Sequence, residues 1–315
     1  MLLTRILITG ASGFVGRHLV DHLLRQGESD IIGLSSRKRP EIEGARLLVC
    51  DLRDADLTRR VLEHHRPEVI YHLAGQSHVP RAFADPADTL ITNAVGQINL
   101  FEGCRNAGID PVILSVGSSE VYGAVSADSI PIDESQPLRP NNPYASSKAA
   151  QDLYAAQYFA SYGMKIVRVR SFNHVGPGQT DRFVVASFAR QIAEVEAGLA
   201  DPVVLVGNLE PIRDFLDVRD VVRAYYLVAK SEFSGEVFNV ASGRGVRIRE
   251  VLDMLVGAAD CEIDVRADPE RVRPSEVPEF RGDASKFHDA TGWMPEYSLE
   301  QTVRDVLNDW RRRIR

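Results

Sequence analysis

Near its start the chain reads RILITGASGFVG, residues 5–16, an apolar run that leads into three glycines at three-residue spacing. The apolar run predicts a buried parallel strand, and the apolar pattern at 19–24 predicts a helix after the glycines. Gly10, Gly13 and Gly16 permit a tight turn, close approach of a pyrophosphate to the backbone, and close packing of helix on strand. The helix N-terminus would then bind the phosphates. The stretch therefore predicts a dinucleotide site, with a plain tight turn as the alternative.

The rest of the chain alternates short apolar runs with longer amphipathic segments, which predicts an α/β fold. The candidate strands are 5–9, 30–34, 46–50, 69–73, 111–115, 165–170 and 237–240. We expect a Rossmann-type, doubly wound parallel sheet with a smaller C-terminal substrate-binding lobe. Residues 1–172 are predicted to bind NAD(P), with 217–245 returning to that domain, and 173–216 and 246–315 to form mainly the substrate lobe.

Composition excludes several classes of function. The net charge of -7 and pI near 5.7 argue against a general nucleic-acid or membrane surface. Cys50, Cys104 and Cys261 lie far apart and near no histidine pair, so we expect neither a disulfide framework nor a metal site. The apolar run at 6–8 is too short for a signal-peptide core, and no segment is long enough to span a membrane. We therefore expect a cytoplasmic protein without nucleic-acid or membrane partners.

Tyr144 and Lys148 stand four residues apart, directly after Pro143. If Pro143 begins a helix, the phenol and the ammonium share one face of it. A cation about 4 Å away at an effective dielectric of about 20 favours the phenolate by up to ~4 kcal/mol. We therefore expect Lys148 to lower the pKa of Tyr144, which predicts an acid-base catalyst. An ordinary helix with an exposed lysine is the alternative.

The end of the second predicted strand bears on the choice of cofactor. An acidic residue there would bind the ribose 2′-hydroxyl of NAD, but the chain has Ser35, Ser36, Arg37, Lys38 and Arg39. Basic side chains suit a 2′-phosphate, so the sequence predicts NADP(H), with NAD(H) as the second choice. A solvated basic loop is the alternative interpretation.

Taken together, the motifs resemble those of the extended short-chain dehydrogenase/reductases, which include nucleotide-sugar epimerases, dehydratases and reductases. The matching motifs are Gly10-x-x-Gly13-x-x-Gly16, Asp51-Leu52, His72-Leu73-Ala74-Gly75, Asn93, Ser118-x-x-x-Tyr122-Gly123, Pro143-Tyr144-x-x-x-Lys148 and Arg213-Asp214-Phe215 before Val218-x-Asp220. The resemblance implies that Ser118 binds the sugar oxygen at the reacting carbon, Tyr144 exchanges its proton, and Lys148 holds the nicotinamide ribose. It also implies a homodimer formed through helices at 87–107 and 144–162.

The same resemblance implies a set of binding residues. For the cofactor these are Gly10, Ser12, Gly13, Phe14, Val15, Gly16, Ser36, Arg37, Asp51, Leu52, Leu73, Ala74, Gly75, Asn93, Tyr144, Lys148 and Phe172. For the substrate they are Ser77, Ser118, Ser119, Asn173, Gln179, Asn208, Arg213, Arg273 and Glu276. Arg213 and Arg273 are the phosphate candidates, because the planar guanidinium holds phosphate oxygens in pairs.

Residues 273–276, with the sequence RPSE, resemble the GDP-mannose branch, which implies a GDP-linked deoxy sugar as substrate and Glu276 at the guanosine ribose. Residues 172–179 resemble the reductases of that branch, which implies an NAD(P)H-dependent reduction of the C4 keto group of GDP-4-keto-6-deoxy-D-mannose to GDP-D-rhamnose. Glu120 keeps a second activity open, because it stands where GDP-mannose 4,6-dehydratases carry their catalytic base. A non-enzymatic, cofactor-sensing scaffold would need none of Ser118, Tyr144 and Lys148.

Overall fold

The computed structural model describes residues 4–271 and 277–314. Its strands are β1 (Ile6–Thr9), β2 (Ile31–Ser35), β3 (Arg46–Val49), β4 (Val69–His72), β5 (Val112–Val116), β6 (Ile166–Ser171), β7 (Asn173–Val175), β8 (Val203–Val206), β9 (Ile212–Asp217), β10 (Val237–Val240), β11 (Gly245–Arg247), β12 (Asp264–Ala267) and β13 (Glu279–Phe280). The α-helices are α1 (Phe14–Arg25), α2 (Ala55–His65), α3 (Val79–Ala84), α4 (Pro86–Leu90), α5 (Gly96–Asn106), α6 (Pro143–Tyr162), α7 (Val184–Glu196), α8 (Val218–Val228), α9 (Ile248–Gly257), α10 (Ser285–Thr291) and α11 (Leu299–Ile314). A π-helical turn, Ile91–Val95, joins α4 to α5.

The main sheet has seven parallel strands in the order β10-β6-β5-β4-β1-β2-β3. Each of them overlaps one of the seven candidate strands, so the predicted Rossmann-type parallel sheet is confirmed. Its central strands are buried along their whole length, and apolar side chains from helices on both faces pack against them. Burial on both faces explains why these strands are nearly continuous in Val, Ile and Leu.

Strands β1 and β4 are neighbours, although the chain passes through β2 and β3 between them. The connections after β1 and after β4 therefore leave the sheet on opposite sides. Ligands of open α/β sheets bind in the crevice that this arrangement leaves at the carboxyl ends of the strands.

The smaller strands form two further sheets. Strands β11, β9 and β13 pair in that order, β7 pairs with β9, and β12 pairs with β8. Helices α7, α9 and α11 pack together over these strands around a second apolar core. Since β7 begins two residues after β6 ends, the chain crosses from the main sheet to the second core at Phe172. This crossing brings β9 to the carboxyl edge of the main sheet.

Candidate active site

The glycine turn fits a pyrophosphate. Gly10 has φ of +72°, and a Cβ at Gly16 would lie 2.4 Å from the carbonyl oxygen of Gly10. A Cβ at Gly10 would lie 3.0 Å from Cα of Ala74. Helix α1 begins after Gly13 without a side-chain cap, so its first backbone N–H groups are not used by a capping oxygen. The glycines thus allow the turn to pack tightly, and a helix N-terminus with unused N–H groups is a typical site for a diphosphate.

The residues predicted for the adenosine end lie beside the glycine turn. The Ser12 hydroxyl donates a hydrogen bond to the Ser35 hydroxyl at 3.1 Å, and Ser36 and Arg37 follow at the surface. Ser35 pairs with Val49, which places Asp51 and Leu52 at the same edge of the sheet. The Arg53 guanidinium binds the Asp51 carboxylate and lowers its pKa. Leu52 is buried.

Helix α6 carries the Tyr144 and Lys148 pair. Pro143 occupies its first turn, and the Asn142 side-chain oxygen accepts a hydrogen bond from the backbone N–H of Ala145 at 2.9 Å. Tyr144 is 8% exposed and Lys148 is 6% exposed, and both line the same cavity. The Lys148 ammonium donates a hydrogen bond to the carbonyl oxygen of Val116, at the end of β5, at 2.9 Å. The predicted common face is therefore present, but it is buried.

The predicted effect of Lys148 on Tyr144 is wrong for this structure. The pKa of Tyr144 is raised, first by burial and then by the negative charge of Glu120, while a hydrogen bond with Ser118 opposes the rise. Burial also lowers the pKa of Lys148 to about 8. The prediction counted the attraction between two charges and left out the cost of removing each from water, which dominates at buried sites. Tyr144 therefore carries its phenolic proton at neutral pH, as an unperturbed tyrosine also does.

Ser118 immediately precedes a short 3₁₀ turn after β5, Ser119–Tyr122, and Glu120 lies on that turn. The Ser118 hydroxyl caps this turn by accepting a hydrogen bond from the backbone N–H of Glu120 at 3.2 Å. The Glu120 carboxylate accepts a hydrogen bond from the Asn142 amide at 3.0 Å. Burial raises the pKa of Glu120, while Asn142 and the charge of Arg213 oppose the rise. Glu120 therefore sits between the two groups of residues predicted for catalysis and for phosphate binding.

Two adjoining cavities meet at Ser119, Glu120 and Asn173. The first, of about 340 Å³, runs from the glycine turn to helix α6, which carries Tyr144 and Lys148. The predicted site residues that line it are Gly10, Gly13, Phe14, Val15, Gly16, Leu73, Gly75, Ser77, Ser118, Ser119, Glu120, Tyr144, Lys148, Phe172, Asn173 and Gln179. The second, of about 500 Å³, is lined by Asn208 and Arg213 as well as by the three shared residues. The first cavity suits a nicotinamide next to a sugar, and the second suits the rest of a nucleotide sugar.

Some predicted residues do not line the cavities but stabilise the loop beside them. Asn93 is buried, accepts a hydrogen bond from the backbone N–H of Gln76 at 2.7 Å, and donates one to Ser147 on α6 at 2.8 Å. The backbone N–H of Ala74 donates to the Thr9 hydroxyl at 3.0 Å. Both contacts fix the turn after β4. Arg273 and Glu276 fall outside the described residues.

Several residues of the site were not predicted. His174 lines the first cavity, where it stacks on Phe14 with ring centroids 6.2 Å apart. Burial lowers the pKa of His174. Arg271 and Asn142 line the second cavity, and Tyr225 of α8 lines the first. A sequence signal existed for Asn142, because asparagine before proline is a typical start of a helix.

A buried ion pair fixes α6 to the sheet. The Asp152 carboxylate accepts hydrogen bonds from Arg170 on β6 at 2.9 Å and from Arg168 at 3.0 Å. The Asp152 and Arg170 side chains are only 3% and 6% exposed. The helix that carries Tyr144 is thus attached to β6 through a charge pair that water does not reach.

No metal centre is found in the described ranges, where no three His, Cys, Asp or Glu side chains come together as ligands. Within the same ranges, each helix is too short or too polar to cross a membrane.

Comparison with known proteins gives consistent results. The model of the GDP-mannose 4,6 dehydratase family matches residues 7–306. GDP-6-deoxy-D-mannose reductase of Pseudomonas aeruginosa is 38% identical over 311 residues, which cover 99% of this chain and 98% of that protein. The structure of RMD from Pseudomonas aeruginosa complexed with NADPH superposes with a TM-score of 0.87 at 38% identity, covering 98% of this chain and 100% of that one. UDP-glucose 4-epimerase from Thermus thermophilus, in complex with NAD, gives a TM-score of 0.86 at 31% identity, covering 98% of this chain and 99% of that one.

Proposed function

The chain belongs to the GDP-mannose 4,6-dehydratase family, and on this basis we propose that it reduces the C4 keto group of GDP-4-keto-6-deoxy-D-mannose to give GDP-D-rhamnose. The observation that carries the choice of a reductase is the similarity to GDP-6-deoxy-D-mannose reductase, which is 38% identical over 99% of this chain, whereas GDP-mannose 4,6 dehydratase 2 of Arabidopsis thaliana is 31% identical. Burial raises the pKa of the Tyr144 phenol, so Tyr144 carries its proton at neutral pH and can donate it. A reduction consumes a proton at the new hydroxyl, which is what such a phenol supplies.

NADPH is the proposed cofactor. Its diphosphate would lie on the glycine turn and the start of α1, and its 2′-phosphate would lie near Ser36 and Arg37. When bound, NADPH supplies the hydride. The relative solved with NADPH and the relative solved with NAD share this fold, so NADH is the second choice.

The protein's own groups then act on the keto oxygen. Ser118 and Tyr144 lie close to each other and line the first cavity, and both can donate toward an oxygen placed between them. As negative charge develops on the C4 oxygen, Tyr144 transfers its phenolic proton to it. Lys148 lies one helical turn away and donates to the Val116 carbonyl, so its stem is fixed where it can hold the ribose. A proton from solvent then restores the phenol.

The second cavity is the proposed site of the nucleoside diphosphate. Arg213 reaches it from β9, with its guanidinium held by the backbone carbonyls of Ile212 and Val277 at 2.8 and 3.1 Å. Burial lowers the pKa of Arg213, and the charge of Glu120 opposes this. Asn208 lies exposed at the same cavity. The roles of Arg273 at a phosphate and Glu276 at the ribose remain predictions.

Glu120 supports one alternative, a GDP-mannose 4,6-dehydratase. This activity needs a base for the proton at C5, and Glu120 lies at the junction of the two cavities beside Tyr144. Its raised pKa would suit proton exchange near neutral pH. The relatives favour the reductase, because GDP-6-deoxy-D-mannose reductase is more similar to this chain than GDP-mannose 4,6 dehydratase 2 is, at 38% against 31% identity.

A pair of substrates separates the two activities. The protein is incubated with NADPH and GDP-4-keto-6-deoxy-D-mannose, and separately with NADP⁺ and GDP-mannose, while nicotinamide absorbance and products are followed. The reductase assignment predicts oxidation of NADPH with the keto sugar and no change in GDP-mannose. Conversion of GDP-mannose without net change in the nicotinamide would establish the dehydratase instead.

We further propose that 1–172 with 217–245 bind the cofactor, that 173–216 with 246–315 bind the sugar nucleotide, and that the protein acts in the cytoplasm as a homodimer. The dimer is supported by exposed apolar side chains on two helical segments that pack side by side. They are Leu90, Ile91 and Val95 on the segment from α4 to α5, and Leu153, Tyr154 and Tyr162 on α6. Light scattering at micromolar concentration tests this, and a mass near 34.9 kDa would contradict it.

A further inference from the structure

The side chain of Asn142 contacts both the turn that carries Glu120 and the helix that carries Tyr144 and Lys148. Its Oδ1 caps α6 by accepting from the backbone N–H of Ala145 at 2.9 Å. Its Nδ2 donates to Oε2 of Glu120 at 3.0 Å and, less closely, to the side-chain oxygen of Asn141 at 3.3 Å. The cap assigns the orientation of the amide, because only the oxygen can accept from Ala145. The opposite end must therefore be the NH₂ group that faces Glu120.

We propose that Asn142 is a positioning residue that ties the Glu120 carboxylate to the first turn of the helix carrying Tyr144 and Lys148, and so links the charge of Glu120 to proton transfer by Tyr144. This rests on the proposed reduction at C4. Glu120 lies on the turn after β5 and Tyr144 lies on α6, and the Asn142 side chain contacts both of these elements.

The charged groups around Glu120 determine how its protonation state affects the acidity of Tyr144. Arg213 faces it from β9 and favours its ionised form, while Tyr144 faces it from α6. Tyr144 in turn lies near Tyr225 of α8, and Lys148 and His174 line the same cavity. An ionised Glu120 makes Tyr144 harder to ionise, because two neighbouring negative charges repel. A neutral Glu120 therefore leaves Tyr144 the stronger acid.

Asn142 influences the pH at which Glu120 becomes protonated. Its NH₂ group stabilises the ionised carboxylate, against the effect of burial. Removing the donor, while keeping the cap, should therefore shift protonation of Glu120 to higher pH. Since reduction is faster when Glu120 is neutral, kcat of the wild-type protein should fall as pH rises through this transition. Without the Asn142 donor, the fall in kcat should occur at higher pH.

The Asn142→Ser variant isolates the contact, because serine caps a helix about as well as asparagine but has no amide donor. Glu120→Gln and the double variant complete a thermodynamic cycle. Asp85→Ser is the matched control, since Asp85 caps α4 by accepting from Asp88 in the same way. The kcat of NADPH oxidation with the keto sugar is measured against pH for each protein. Protonation of Glu120 is followed independently by the infrared band of its protonated carboxyl, identified by its loss in Glu120→Gln.

The proposal predicts that Asn142→Ser moves both transitions to higher pH, that Glu120→Gln abolishes them, and that adding Asn142→Ser to Glu120→Gln has no further effect on the pH profile. Asp85→Ser should leave both transitions in place. An equal loss of kcat at every pH, or a loss that persists beside Glu120→Gln, would refute the link between Asn142 and the charge of Glu120. If Asn142→Ser does not fold, Asn142→Asp keeps the cap and should move the carboxyl transition in the same direction. If the wild-type protein does not reduce the keto sugar, the proposed function fails, while the infrared titration still decides the contact.

Discussion

Replacing Lys148 with methionine is expected to stabilise the protein at neutral pH while it impairs turnover. Burial moves the pKa of Lys148 from its usual 10.5 to about 8 in the folded protein. Each pKa unit corresponds to about 1.36 kcal/mol, so the charged amine opposes folding by about 3 kcal/mol at pH 7, where it is protonated in both states. Methionine removes that cost. It also leaves the Val116 carbonyl without its donor, at a cost of about 1–3 kcal/mol.

The pH dependence of the stability difference tests this reasoning more sharply than its size. Between pH 8 and 10.5 the unfolded protein binds the extra proton at Lys148, so the wild-type protein gains stability as pH rises. The advantage of Lys148→Met should therefore shrink by about 2 kcal/mol between about pH 7 and about pH 9.5.

Urea unfolding at equal protein concentration measures both quantities. Lys165→Met is the matched control, because Lys165 is 42% exposed in an ion pair with Asp110 and should change stability by less than about 1 kcal/mol. A stability difference between Lys148→Met and wild type that is equal at every pH would refute the claim that burial of a charged Lys148 opposes folding.

Three further substitutions test other parts of the site. Tyr144→Phe should lower kcat about 10²- to 10⁴-fold and leave NADPH affinity, measured by nicotinamide fluorescence, nearly unchanged; full turnover would rule out the acid role. Asp152→Asn should lower the free energy of unfolding by about 3–5 kcal/mol in urea titrations, because the buried Arg170 loses its counter-charge; a change below about 1 kcal/mol would contradict that contribution. Arg37→Ser should weaken NADPH binding about 10-fold or more without affecting NADH, by removing a charged hydrogen bond to the 2′-phosphate; equal losses for both cofactors would disprove this contact.

The main sheet could be predicted from sequence because most of its strands are buried, the edge strand β3 being the exception. Buried strands consist of nearly uninterrupted apolar residues, and all seven strands of the sheet were found. Most strands of the smaller sheets carry no such signal, although β8, with the sequence VVLV, does. Strand β12 is exposed along its whole length, and β9 carries Arg213, Asp214 and Asp217 among its six residues. Their position depends on pairing with distant segments, which local patterns do not show.

The site was predicted best where a motif reflects backbone geometry. The glycines of the turn and the Tyr144 and Lys148 pair on one helix are examples, since spacing alone places them. The direction of the Tyr144 pKa could not be predicted, because spacing gives the separation of two charges but not their burial. The π-helical turn that places Asn93 under the loop after β4 also depends on tertiary packing.

Transfer of deuterium from labelled NADPH to the sugar tests the central claim most directly. The protein is incubated with GDP-4-keto-6-deoxy-D-mannose and NADPH deuterated at the transferred position of the nicotinamide, and the product is examined by NMR. The account predicts one deuterium at C4 of the sugar for each NADPH oxidised. Oxidation of NADPH without deuterium at C4, or no oxidation with the keto sugar at all, would contradict it.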